Sequence, residues 1–286
     1  MRVQVHGGAG GEPDEPDERR AVLQEAATVG ADADTPLDAV EAAVRVLESA
    51  PRFNAGVGGA VQSDGVPRTD AGVMTSRGEV GAACAMPGVE HAISAARVVL
   101  EETPHVLIAG EHAVKLAGDF GVETGVDLWS EASRERWAEA PEPPSGDSRA
   151  ILEWVRERFG GTDTVGAVAT DGEGVAAATS TGGRWFALAG RVGDVPQVGS
   201  GFYAGEAGAA SATGAGEDIA RVTLTQRAVT QLEAGLGAQA AADSALETFA
   251  GRTEGGAGLI VISPDGDVGA AFNTDSMQTA VAGDVA

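Results

Sequence analysis

Two pairs of short apolar runs, each joined by turn chemistry, constrain this chain most. Residues Thr164 to Ala169 and Gly174 to Thr179 flank Asp171-Gly172, while Leu259 to Ser263 and Val268 to Phe272 flank Pro264-Asp265-Gly266-Asp267. Such turn residues reverse the chain between extended segments, so each pair predicts a β-hairpin. Two alanine-rich helical patterns, Asp218 to Glu233 and Ala238 to Phe249, lie between the hairpins. Upstream, a strand from Arg2 to His6 runs into the turn His6-Gly7-Gly8-Ala9-Gly10-Gly11, and a helix is expected from Arg19. Thr35-Pro36-Leu37-Asp38 reads as a helix start, with a capping hydroxyl, proline at the first helical position and an acid three residues after the cap. Leu37, Val40, Val44 and Leu47 then fall on one face of that helix. Strands are expected at Arg68 to Met74, Glu79 to Ala85 and Val106 to Ile108, with helices at His91 to Glu102 and Glu111 to Ala117. Hairpins and helices in both halves favour an α+β fold of two packed sheets covered by helices, a four-layer αββα sandwich, over a repeated βαβ unit.

At 286 residues and 43% hydrophobic composition, the chain can bury a core of domain size. From Ala138 to Ser148 it is rich in Pro, Glu, Ala and Ser, poor material for a core, and a mobile linker is expected over about 138–163. Acidic residues number 43 against 19 basic ones, the only lysine is Lys115, and the formal net charge is -24. Phosphate would be repelled, which argues against a nucleic-acid partner. A surface so acidic and lysine-poor suits concentrated salt, where carboxylate repulsion is screened, so a halophilic habitat is expected. No run approaches the roughly 20 apolar residues of a membrane span, and a cytoplasmic location is expected. The lone Cys84 permits no internal disulfide and reads as a small buried hydrophobe.

Common catalytic signatures are missing. Pro13 stands where the third glycine of a dinucleotide-binding turn would fall, no G-x-S-x-G elbow occurs, and Lys115 makes no S-x-x-K. The histidines are scattered, and His91, His105 and His112 read as structural. What remains is a concentration of threonine and glycine: Asp163-Thr164-Val165-Gly166, Thr179-Ser180-Thr181-Gly182-Gly183, Gly190-Arg191-Val192-Gly193-Asp194 and Thr213-Gly214-Ala215-Gly216-Glu217. A hydroxyl is a weak nucleophile unless a base takes its proton. A threonine that became the first residue of a new chain would supply that base itself, through an α-amine of pKa roughly 7.7–8.

These blocks, with His6-Gly7-Gly8-Ala9-Gly10, Phe53-Asn54-Ala55-Gly56 and Phe272-Asn273-Thr274, resemble the plant-type asparaginases and isoaspartyl (β-aspartyl) peptidases, N-terminal-nucleophile (Ntn) hydrolases related to the glycosylasparaginases. The resemblance spans nearly the whole chain except the linker. It implies a single Ntn-hydrolase domain over 1–286, cut between Asp163 and Thr164 into an α subunit (1–163) and a β subunit (164–286). By the same resemblance Thr164 is the nucleophile, Thr181 tunes its oxygen, Thr213 and the Gly214 N–H form the oxyanion hole, and Asn54 orders the site. Arg191 and Asp194 would grip the carboxylate and ammonium of one amino acid, with Thr213, Gly214 and Gly216 completing the substrate pocket. The loop from Leu47 to Val57 resembles one whose backbone carbonyls hold sodium, at Leu47, Glu48, Ala50, Phe53, Ala55 and Val57; no organic cofactor is implied. The turn at His6 to Gly10 would assist self-cleavage. A small-molecule amino-acid or dipeptide substrate and a dimer of cleaved αβ heterodimers follow from the family.

Departures from the family pattern leave the substrate open. Asp163 stands where asparaginases of this group commonly carry glycine and resembles the glycosylasparaginase branch, Val195 replaces a usual serine, and Ala215 a larger residue. Trp185 and Phe186 put bulk where polar residues are frequent and are expected to wall the pocket against large glycosylated leaving groups. The alternatives are a glycosylasparaginase-like or broader threonine peptidase, and an uncleaved amino-acid-binding protein using Arg191 and Asp194.

Overall fold

The computed structural model describes residues 1–161 and 164–285. The chain runs through β1 (Arg2–Gly10), α1 (Pro16–Ala31), α2 (Pro36–Glu48), β2 (Arg68–Thr75), β3 (Val80–Pro87), α3 (Ala92–Glu102), β4 (Leu107–Ala109), α4 (Gly110–Asp119), α5 (Glu131–Glu139) and α6 (Ser148–Arg158). It continues through β5 (Val165–Thr170), β6 (Val175–Thr181), β7 (Phe202–Gly205), β8 (Gly208–Gly214), α7 (Gly216–Val222), α8 (Leu224–Glu233), α9 (Ala238–Ala250), β9 (Ala257–Ile262), β10 (Val268–Phe272) and β11 (Ser276–Gly283). A seven-stranded sheet has the order β11-β1-β5-β6-β2-β3-β4, and a four-stranded sheet the order β10-β9-β8-β7. Both expected hairpins are present, as β5/β6 and β9/β10.

Strand alternation sends successive side chains to opposite faces. In β5, Val165, Ala167 and Ala169 join the cluster that includes Leu23 of α1, Val40 and Leu47 of α2 and Ile93 of α3. Val168 points the other way, into a cluster with Phe202, Ile260 and Ile262 of the smaller sheet. The opposite face of that smaller sheet packs on α8 and α9 through Leu259, Val229 and Phe249. The two sheets approach so closely at Gly166 that a Cβ there would overlap Ser211 Oγ and lie 2.5 Å from His6 Nε2. Only glycine fits such an approach without forcing the sheets apart.

Helix α2 starts as its sequence dictates: the Asp38 N–H donates to Thr35 Oγ1 at 3.2 Å, and Val40, Val44 and Leu47 are buried. The pattern from Asp218 to Glu233 is two helices rather than one. Thr223 sits at φ 54° between α7 and α8, a left-handed conformation that costs a β-branched residue energy and interrupts the helical ladder. The stretch expected to be a mobile linker is bracketed by α5 and contains α6, whose Trp154 is buried and donates its indole N–H to Pro141 O at 3.1 Å. Aromatic anchors, invisible to a composition count, fold that segment onto the body. No helix among the described residues is long and apolar enough to cross a membrane.

Candidate active site

The end of the β5/β6 hairpin places two threonines together. Thr164 directly precedes β5 and Thr181 closes β6; both are buried, and Thr164 Oγ1 donates to Thr181 Oγ1 at 3.3 Å. Thr181 Oγ1 also accepts from the Gly183 N–H at 3.0 Å. Asn54 ties this turn to the loop after α2, donating through Nδ2 to Gly183 O at 2.6 Å and accepting the Ala60 N–H at 2.7 Å. The Gly182 N–H donates in turn to Asn54 O at 2.9 Å. Asn54 thus orders the residues beside the two hydroxyls.

Thr213 and Gly214 end β8. Thr213 is fully buried and its Oγ1 accepts the Ala9 N–H at 3.3 Å, which links the smaller sheet to the glycine-rich end of β1. Gly214 adopts φ 134°, where a Cβ would overlap Gly256 O, so the segment depends on glycine. His6 lies beneath, Nε2 2.9 Å from Ser211 Oγ, which is itself 2.7 Å from Thr179 Oγ1. Complete burial pushes the His6 pKa down to about 3, against a smaller opposing effect of the Thr164 backbone, and the ring is neutral at physiological pH.

Arg191 and Asp194 form a second focus. Nε and Nη2 of Arg191 each lie 2.8 Å from Glu217 Oε1, and Glu217 also pairs with Arg184 at 3.1 Å. Burial opposes ionisation of Glu217, but the two arginines outweigh it and hold its pKa below the usual carboxylate range. Asp194 is the reverse case: burial outweighs the attraction of Arg191 and pushes its pKa up to about 6. Asp194 Oδ2 is buried and makes no hydrogen bond among the described residues. Gly216 lets this pair pack, since a Cβ there would lie 2.5 Å from Asp194 Oδ1 and 2.9 Å from Arg191 Nη2.

Several contributors had no assigned role in the sequence. Glu217 stands inside the Thr213-Gly214-Ala215-Gly216-Glu217 block, but the arginines it meets, Arg191 and Arg184, lie 26 and 33 residues upstream, so the sequence carries no signal for the pairing. Asp70, the cross-strand partner of Thr181, accepts the Ala85 N–H at 2.7 Å, and burial pushes its pKa up to about 7 with Arg191 and Asp194 as charged neighbours. Nothing in the Arg68 to Met74 strand pattern marks it. Glu48, expected to contribute only a backbone oxygen, buries its side chain, accepting from Ser180 Oγ at 2.6 Å and the Ile93 N–H at 3.0 Å. Trp185 and Phe186 are buried against Trp137 and Trp154 of α5 and α6. Cys84 is buried, as expected for a small apolar residue. Asp163, the other half of the expected cleavage site, lies outside the described residues.

The loop from Leu47 to Val57 closes on itself: Glu48 O accepts the Val57 N–H at 3.0 Å and Ala50 O the Phe53 N–H at 3.0 Å. Gly56 at φ 54° makes this closure possible, because any Cβ would overlap Glu48 O.

A family model described as asparaginase matches residues 2–285. The chain belongs to the asparaginase family. Within it, the chain is 39% identical over 293 residues to a plant-type L-asparaginase of Pyrococcus horikoshii, covering 98% of this chain and 95% of that protein. Identity to the isoaspartyl peptidase/L-asparaginase of Macaca fascicularis is 39%, and to that of Homo sapiens 38%, each over 292 residues, 99% of this chain and 93% of the relative. The family match spans the positions of Thr164, Thr181, Arg191 and Asp194.

Proposed function

We propose that this chain is an autoproteolytically activated threonine amidohydrolase acting on L-asparagine and β-aspartyl dipeptides. The observation that carries the mechanism is the buried Thr164 hydroxyl donating to Thr181 Oγ1 immediately before β5. In the precursor, Thr164 Oγ1 attacks the carbonyl carbon of residue 163, the C–N bond breaks, and the peptide shifts onto oxygen as an ester. Water hydrolyses that ester and frees the Thr164 α-amine. The neutral amine then takes the hydroxyl proton as Oγ1 attacks the side-chain amide of substrate and passes it to the leaving nitrogen. Ammonia or an amino acid departs, and water cleaves the β-aspartyl ester to release aspartate.

Arg191 would hold the substrate α-carboxylate, and Asp194 its α-ammonium. An unpartnered buried carboxylate oxygen beside a guanidinium suits a zwitterionic ligand, because each ligand charge meets its opposite. Thr213 and the Gly214 N–H would receive the charge developing on the attacked oxygen. The two sheets and their flanking helices are read as the αββα layering of Ntn hydrolases, and the cut chains as an αβ unit that pairs into a dimer.

Purified protein tests this by intact mass spectrometry. Two fragments meeting at Asp163/Thr164, absent in Thr164→Ala, are expected, with ammonia released from L-asparagine by the processed form alone. A whole chain after prolonged incubation would overturn the mechanism and favour a binding protein. Backbone oxygens of Leu47, Glu48, Ala50, Phe53, Ala55 and Val57 offer an all-oxygen donor set, and we extend the proposal to a structural sodium there. A melting temperature equal in sodium and choline chloride at matched ionic strength would remove it.

A further inference from the structure

All four tryptophans of this chain meet in one place. Trp129, Trp137 and Trp154 come from before Thr164, and Trp185 from after it. They gather around Phe186, whose ring centroid lies 5.4 Å from Trp154, 5.9 Å from Trp137 and 5.6 Å from Trp185, while Trp129 meets Trp137 at 6.3 Å. Phe186 adopts φ 59°, a conformation costly for an aromatic residue that persists only where its surroundings over-determine it.

The cluster continues into a seated tail. After α6, Gly160 and Trp185 exchange two backbone hydrogen bonds, of 3.2 and 3.0 Å, and Arg184 Nε donates to Gly161 O at 2.8 Å. The Phe159 ring lies under two guanidinium groups, 4.1 Å from the central carbon of Arg184 and 5.7 Å from that of Arg191. Each of these contacts joins a residue at or before 161 to one at or after 184. A break before Thr164 severs none of them.

We propose that the segment Phe159–Gly161 remains seated after the chain is cut, and that Phe159 is a positioning residue setting the affinity of Arg191 for the substrate carboxylate. This rests on Arg191 being the carboxylate anchor of the proposed function. A guanidinium binds carboxylates at its edge and aromatic rings at its face. Phe159 shields one face from water and fixes the plane of the fork, leaving the edge to Glu217 and the ligand. The tail of the first subunit is therefore part of the amino-acid site built by the second.

Processed wild type, Phe159→Ala, Phe159→Tyr and Arg191→Ala are compared, each confirmed as two fragments by mass. Losing a ring from a half-buried guanidinium is expected to raise KM for L-asparagine roughly three- to tenfold. The kcat should stay within about twofold, because among the described residues the Phe159 ring meets Arg184 and Arg191 rather than Thr164. Phe159→Tyr should restore KM. Brief trypsin treatment of the processed wild type should spare the bonds after Arg156 and Arg158, and Phe159→Ala should expose them. Rapid clipping at those bonds in wild type, or an unchanged KM in Phe159→Ala while Arg191→Ala raises it, overturns the seated tail alone. An unchanged KM in Arg191→Ala instead overturns the anchor.

Discussion

Replacing Arg191 by lysine keeps the charge and removes the fork. The guanidinium presents Nε and Nη2 to Glu217 Oε1, both at 2.8 Å, and lies against Gly193, where a Cβ would approach Nη1 to 2.8 Å. A lysine ammonium in that slot can satisfy Glu217 or the substrate carboxylate strongly, but cannot hold both in one plane. Asp194 and Glu217 keep a cation nearby, so the large penalty of an orphaned buried charge is avoided. The loss is then about one charged hydrogen bond to substrate, roughly 1.5–3 kcal/mol. At about 1.4 kcal/mol per factor of ten, kcat/KM for L-asparagine should fall roughly ten- to hundredfold. Ammonia release by the processed variant, followed across substrate concentration, should place most of that loss in KM. A fully processed Arg191→Lys enzyme with KM within about twofold of wild type would refute the bidentate grip.

Asp194 should make substrate affinity pH-dependent. Burial holds its pKa up to about 6, so it gains a proton as the pH falls through that value and loses its attraction for an ammonium. The KM for L-asparagine is expected to rise as the pH falls from about 7 to about 5, and Asp194→Asn should bind weakly and lack the rise centred near 6. A wild-type KM that does not change over the same range would count against the assignment. Glu48→Ala should destabilise the fold by roughly 2–5 kcal/mol, since it strips the Ile93 N–H and Ser180 hydroxyl of their buried acceptor. Chemical denaturation gives that number directly, and a change below about 0.5 kcal/mol would mean that water replaces the carboxylate.

Hairpins, caps and helical faces were legible because they are local. Asp171-Gly172 and Thr35-Pro36 carry their conformations in their own chemistry, and the structure places β5/β6 and α2 accordingly. Strand β8 was not, because Gly208-Ala-Ala-Ser-Ala-Thr-Gly214 is buried along its whole length and has no alternation to read. The helical run after Gly216 looked continuous because nothing in Val222-Thr223-Leu224 forbids a helix, yet Thr223 turns left-handed and divides it. The threonine and glycine blocks marked segments in which Thr164 meets Thr181 and Arg191 meets Glu217. The side chains that hold them, Glu217, Asp70, Glu48 and Phe159, became visible only when distant strands and loops met.

The strand order of the larger sheet bears on what a cut before Thr164 would leave behind. Strands β1 to β4 precede that point, while β5, β6 and β11 follow it, yet the order is β11-β1-β5-β6-β2-β3-β4. Three of its six neighbouring pairs, β11 with β1, β1 with β5, and β6 with β2, therefore join opposite sides of the cut. The two products would be interwoven rather than docked, with no surface along which to part short of unravelling the sheet. Scission would free a reactive chain end in the middle of the molecule while leaving its surroundings mechanically continuous. Separately made fragments would have to fold through one another, so the uncut precursor is the natural route by which such a sheet is assembled.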